Sequence, residues 1–189
     1  MTEFSSSSEQ YRTPISLTVD GERHEITVDN RTTLLDALRD RLAVTSVEKG
    51  CGHGQCGSCT VLEDGRRVTT CLSLAVAHDG AEVTTARGLA EGGLHPVQSA
   101  FVEYDALQCG YCTPGQVCSA VGMLDELSRG TPSVVTEELT EAPEPTDEEL
   151  RERLSGNLCR CGAYRGILDA VRSVATANRD KDTSRENLR

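Results

Sequence analysis

At 189 residues the chain has room for one or two small domains, and its formal charge of −11 argues against nucleic acid as a partner. No apolar run approaches the roughly 20 residues that cross a bilayer, so a soluble chain with no membrane segment is expected. Nine cysteines would suit a secreted disulfide scaffold. Met1 to Pro14, however, is polar and serine-rich, without a basic n-region, an apolar stretch or twin arginines. A cytoplasmic location is therefore expected, with export on a partner's signal or from a longer precursor as the alternative.

In chain order, residues 1–12 read as a polar, disordered tail. Ile15, Leu17 and Val19 alternate with polar residues, Asp20-Gly21 supplies a turn, and His24 to Val28 resumes the alternation, which predicts a hairpin. Leu34, Leu35, Leu38 and Leu42 recur at helical spacing behind Thr33. A glycine-rich loop follows, and then Thr60 to Leu62 and Arg67 to Thr70 read as strands around Asp64-Gly65. This succession predicts a β-grasp, plant-type ferredoxin-like domain over residues 13–90.

Beyond Gly93 the strand signals nearly vanish. Pro96 opens a helix running to about Tyr104. Thr113-Pro114-Gly115-Gln116 reads as an N-cap, a proline at N1 and a capping-box glutamine, so Cys112 sits just ahead of a helix reaching Leu127. Thr146-Asp147-Glu148-Glu149 repeats the capping pattern, and Ile167, Ala170, Val171 and Val174 mark a last helix. Gly130 to Pro145 interrupts them as an exposed loop, with one short extended piece at Ser133 to Thr136. The whole is an α+β chain: the ferredoxin-like domain, then a four-helix bundle over 91–177 whose cysteine-bearing turns meet, and a disordered tail over 178–189.

Eight cysteines form two quartets. Cys51, Cys56 and Cys59 read CxxxxCxxC, and Cys71 follows after eleven residues, the plant-type arrangement for a 2Fe-2S cluster. Glycines alternate with these ligands, which lets backbone N–H groups turn toward sulfur. The second quartet reads CxxC at Cys109 and Cys112, then forty-six residues, then CxC at Cys159 and Cys161. That spacing alone leaves zinc and iron–sulfur both open. Cys118 reads as a small core residue inside a helix. His53 could replace a ligand as in Rieske centres, but four cysteines already complete its site. His24, His78 and His95 read as surface or capping residues, and Arg160 as a counter-charge or a partner contact.

The stretches Glu48 to Thr60, Gln108-Cys109-Gly110-Tyr111-Cys112-Thr113-Pro114-Gly115 and Gly156-Asn157-Leu158-Cys159-Arg160-Cys161 together resemble the iron–sulfur subunit of molybdenum hydroxylases. That is the xanthine dehydrogenase, aldehyde oxidoreductase and carbon monoxide dehydrogenase family. The resemblance implies a second 2Fe-2S cluster on Cys109, Cys112, Cys159 and Cys161, near molybdenum, with Gln108 and Cys161 approaching the pterin. It places the cluster of Cys51, Cys56, Cys59 and Cys71 near flavin. It further implies a heterotrimer, with molybdopterin on a large partner, FAD on a medium one, and electrons passing from the first to the second through this chain. The insertion at 130–145 is similar to that of periplasmic aldehyde oxidoreductases acting on aromatic aldehydes. One departure is Gly162-Ala163-Tyr164, where many relatives have Thr-Gly-Tyr. With no GxGxxG after a strand and no acid–base constellation, no catalytic residue is assigned to this chain. Two rival readings are a free-standing two-cluster ferredoxin-like carrier and a structural or sensing protein with zinc in the bundle.

Overall fold

The computed structural model describes the backbone of residues 9–186 and the side chains of residues 10–179. Strands β1 (Arg12–Val19) and β2 (Glu22–Asp29) pair antiparallel, with Ile15 opposite Ile26 and Leu17 opposite His24. Asp20 and Gly21 between them both have positive φ, as the two-residue turn matching strand twist requires. Helix α1 (Leu34–Asp36) starts where the Thr33 hydroxyl accepts the Asp36 N–H, and it runs on as a π-helical turn, Ala37–Arg41. It buries Leu34, Leu35, Ala37 and Leu38. Strands β3 (Thr60–Glu63) and β4 (Arg66–Thr69) form a second hairpin.

A fifth strand, β5 (Glu82–Thr84), lies parallel to β1 and antiparallel to β3, giving the order β2-β1-β5-β3-β4. Its three residues bury only Val83, too short a pattern for the sequence to announce. Without β5 the two hairpins would not share a sheet.

The second half is helical: α2 (Pro96–Glu103), α3 (Thr113–Ser128), α4 (Asp147–Leu154) and α5 (Tyr164–Glu186). Phe101, Val117, Met123, Leu150, Ile167 and Val171 meet in one core, apart from the sheet core of Leu17, Val19, Leu34, Leu38, Val61 and Val83. The described residues are thus mixed α/β, with a small sheet and five α-helices.

Several local expectations need correction. Thr113 is not the cap of α3. Cys112 holds that position with no side-chain cap bond, and Gln116 points its amide to the Asn157 carbonyl instead. Ser133 to Thr136 is a turn rather than an extended piece, with Thr136 Oγ1 accepting the Ser133 N–H and bonding the Glu149 carboxylate. Of the two tails expected to be disordered, residues 1–8 and 187–189 lie outside the described residues. Glu9–Tyr11 form a helical turn, Arg12 already belongs to β1, and α5 continues to Glu186.

The halves join along one face of α3. Gly115, Ser119, Gly122 and Glu126 recur at helical spacing and lie on β3, β4 and the cysteine loop. A Cβ at Gly115 would sit 2.4 Å from the Gly57 carbonyl oxygen, and one at Gly122 would sit 2.3 Å from Arg67 Cγ. Arg67 grips Glu126 through Nε (2.8 Å) and Nη2 (2.7 Å) and donates to the Arg153 carbonyl at 2.8 Å.

Gly115→Ala should lower stability by about 1–3 kcal/mol despite its better helix propensity, because the obstacle is backbone. Gly156→Ala meets nothing within 4 Å and serves as the control in thermal unfolding of the iron-loaded chain. At α2, His95 Nδ1 accepts the Val97 N–H, a role open only to the neutral ring, and Gln98 closes the capping box. Burial lowers the His95 pKa below its ordinary 6.5. The unfolded chain therefore binds this proton first, and stability should fall as pH drops below about 6.5 toward the lower folded value. His95→Asn keeps a cap that does not titrate and should flatten that part of the stability–pH curve.

Candidate metal centres

The loop over residues 50–59 leaves the sheet core and returns at β3, so its conformation is set by glycines rather than by a ladder. Gly54 has φ +80, and a Cβ there would sit 2.4 Å from Leu72 Cδ1. Freed of a side chain, the loop turns its amides inward. His53 and Gln55 donate N–H groups to Cys51 Sγ at 3.4 and 3.3 Å, and Gly54 donates to Cys71 Sγ at 3.2 Å. Cys71 reaches the site because Thr70 ties it to Cys59: the Thr70 hydroxyl donates to the Cys59 carbonyl at 2.9 Å.

The four thiols associate two by two, Cys51 with Cys56 and Cys59 with Cys71. The N–H donors, His53 first, hold the Cys51 pKa down to about 6, which favours the thiolate that iron requires. Burial, reinforced by Cys59, pushes Cys71 up to about 11.

The second quartet gathers at the start of α3 and in the turn before α5. Burial and the neighbouring Cys159 push Cys112 up to about 12. Cys159 is lowered: burial works against this, but the Ala163 N–H (3.4 Å to Sγ) and the Cys112 thiol both donate to it. Cys109 lies close enough for its charge to act on Cys112, and the Cys161 N–H supports Cys159. Cys109 and Cys161 are exposed, as is Gln108, whereas Cys159 is buried. The Tyr164 hydroxyl accepts the Cys159 N–H at 2.8 Å. The Gly162-Ala163-Tyr164 departure thus keeps a functional amide at Ala163 and the tyrosine contact.

Among the described residues, no group of three or more His, Cys, Asp and Glu side chains is placed to hold a single metal ion. A 2Fe-2S core asks for something different, two thiolates on each of two irons. The paired thiols and the amides aimed at sulfur fit that demand, and a Cβ at Gly50 would crowd Cys56 Sγ at 2.7 Å.

The sites are neighbours. Leu158 donates its N–H to the Cys56 carbonyl at 2.9 Å, and the Tyr111 hydroxyl donates to the Lys49 carbonyl at 2.8 Å. Asn157 Nδ2 donates to the Gly57 carbonyl at 2.9 Å. Sequence reasoning quoted Asn157 in a motif and gave Gln116 a capping role, so their bridging positions were missed. Their only sequence signal is a pair of amide residues flanking cysteines. Cys118 is a core residue, 1% exposed, with its pKa pushed up to about 12 by burial. His53 is exposed and contributes its backbone, His78 pairs with Glu63, and Arg160 is exposed.

Residues 17–89 match the family described as "2Fe-2S iron-sulfur cluster binding domain", and residues 85–172 match the "[2Fe-2S] binding domain". The chain is 55% identical over 163 residues to the aldehyde oxidoreductase iron-sulfur-binding subunit PaoA of Escherichia coli K12, covering 86% of this chain and 71% of that protein. It is 43% identical over 160 residues to the nicotine 6-hydroxylase small subunit of Paenarthrobacter nicotinovorans, covering 85% and 88%. A chain of quinoline 2-oxidoreductase from Pseudomonas putida 86 superimposes with a TM-score of 0.74 at 38% identity, covering 90% of this chain and 98% of that one. With both domain families matched in order and relatives of this identity aligned over most of their length, the chain belongs to the iron–sulfur subunits of the molybdenum hydroxylases.

Proposed function

We propose that this chain is the electron-transfer subunit of a molybdenum-containing aldehyde oxidoreductase. In this reading Cys51, Cys56, Cys59 and Cys71 hold one 2Fe-2S cluster, and Cys109, Cys112, Cys159 and Cys161 hold another. The carrying observation is that two thiol quartets, each supplied with amide donors, are joined by direct hydrogen bonds between their loops. When bound, such clusters supply one-electron redox chemistry, with potentials tuned by hydrogen bonding and exposure.

The chain's own residues do three things. The loop amides stabilise thiolate charge, the buried Cys59, Cys71 and Cys159 exclude water from one side of each site, and the bridges between loops fix the spacing. The sheet half, residues 13–90, is a β-grasp ferredoxin-like domain, and residues 91–177 form a four-helix bundle with its insertion at 130–145. The exposed Gln108 and Cys161 face a large subunit carrying molybdopterin, and the first quartet faces a medium subunit carrying FAD. Exposed Leu107, Tyr111, Leu158 and Tyr164 beside the second quartet, and Leu72 and Leu74 beside the first, support a subunit over a free carrier, which would keep those surfaces polar. The 55% identity to an aldehyde oxidoreductase subunit supports aldehyde as the substrate class. No described helix is long and apolar enough to cross a membrane, and a cytoplasmic complex suits unprotected thiolates.

Co-purification of the native complex tests this. About four irons per chain and two distinct low-temperature EPR signals after reduction are expected. Stoichiometric zinc with about two irons would instead place zinc in the helical half. Cys56→Ser should alter or abolish one signal and spare the other, and loss of both would contradict separate sites. Tyr164→Phe removes the acceptor of the Cys159 N–H, so it should cost roughly 0.5–1.5 kcal/mol in stability and perturb only the second signal.

A further inference from the structure

We propose that Asn157, held in place by Gln116, is a positioning residue that sets the separation and relative orientation of the two cysteine quartets. The inference rests on the electron-transfer reading above and deepens it.

Asn157 is 4% exposed and Gln116 1%. The Asn157 side-chain amide donates to Gly57, which lies between Cys56 and Cys59. Its own carbonyl accepts from Gln116 Nε2 at 3.1 Å, and Gln116 lies four residues after Cys112. Its N–H donates to Leu154, which anchors the turn to the end of α4. Asn157 itself precedes Cys159 by two residues. One line of buried amides therefore touches three cysteine-bearing segments, and the fourth, Cys71, is tied in through Thr70 and Cys59.

Two features separate positioning from filling space. A buried amide is satisfied only along defined directions, so the pair fixes a register that an apolar side chain of equal volume would leave free. The pair is also neutral, so it can hold the loops together without adding charge beside either site. The surroundings have no slack: Gly57 has φ +67, and a Cβ there would meet the Gly156 carbonyl oxygen at 2.4 Å and Asn157 Nδ2 at 2.6 Å. The Leu158 to Cys56 backbone bond depends on the residue just before it being in place.

The test uses the purified complex carrying Asn157→Leu or Gln116→Met, each of which removes amide donors at similar volume. Iron content, thermal unfolding and the EPR splitting from magnetic interaction between the two reduced clusters are read together. Both variants should keep wild-type iron and two signals, while the splitting changes, more for Asn157→Leu than for Gln116→Met. A lowered melting temperature with unchanged splitting would overturn the proposal and leave a purely structural role. If Asn157→Leu does not assemble, Gln116→Met decides alone, since it leaves the Asn157 side chain intact and acts only through its position. Absence of iron or of one signal in the wild type would strike instead at the electron-transfer reading.

Discussion

The structure depends on how closely the backbone of α3 approaches the first cysteine loop. Ordinary helix packing keeps axes 8–10 Å apart through interposed side chains, but at Gly115 there is no side chain to interpose, and the Gly57 carbonyl occupies that space. Cys112 opens the same helix, so the second quartet is carried on the element that touches the first. The glycines are therefore a packing constraint more than a conformational one. Gly115 and Gly122 lie within the helix, where glycine costs about 1 kcal/mol relative to alanine, and what offsets that cost is contact between two halves with separate cores.

Charge reinforces the seam farther along. Arg67 from β4 and Arg153 from α4 share Glu126, while Arg153 also binds Glu149 at 2.6 Å with both side chains nearly buried. Such groups gain little net stability over apolar packing, yet removing one partner costs about 3–5 kcal/mol because the other stays charged and buried. The network sums to zero charge, which suits a chain already at −11. At the other end of the sheet, Asp20 accepts from the Thr85 N–H and hydroxyl at 2.7 and 2.8 Å, pinning the connection between the halves as it leaves β5.

Local signals in the sequence were read well wherever the chain satisfies itself nearby. The Asp20-Gly21 hairpin, the Thr33 cap, Pro96 opening α2 and Thr146 capping α4 each rest on partners within a few residues. Where a side chain had a distant alternative, the local reading failed. Gln116 looked like a capping-box residue because its offset from Thr113 is right, but the Asn157 carbonyl, forty-one residues on, takes its amide. Strand β5 was invisible because its pairing is supplied by β1 and β3, not by its own pattern. The cysteine quartets were legible as spacings, while the pairing of thiols, Cys51 with Cys56, Cys59 with Cys71 and Cys112 with Cys159, comes only from folding.

The bond between Asn157 and Gly57 spans one hundred residues of sequence. It is short in space and late in time. A chain made from its N-terminus can close the Cys51 loop once Cys71 and β5 have emerged, but its fourth wall waits for α4 and the turn beyond it. Until then the Gly57 carbonyl lacks its Asn157 partner. Biogenesis thus has an order built into topology: the sheet half can mature early, whereas the junction between the two metal sites is among the last pieces of the molecule to exist.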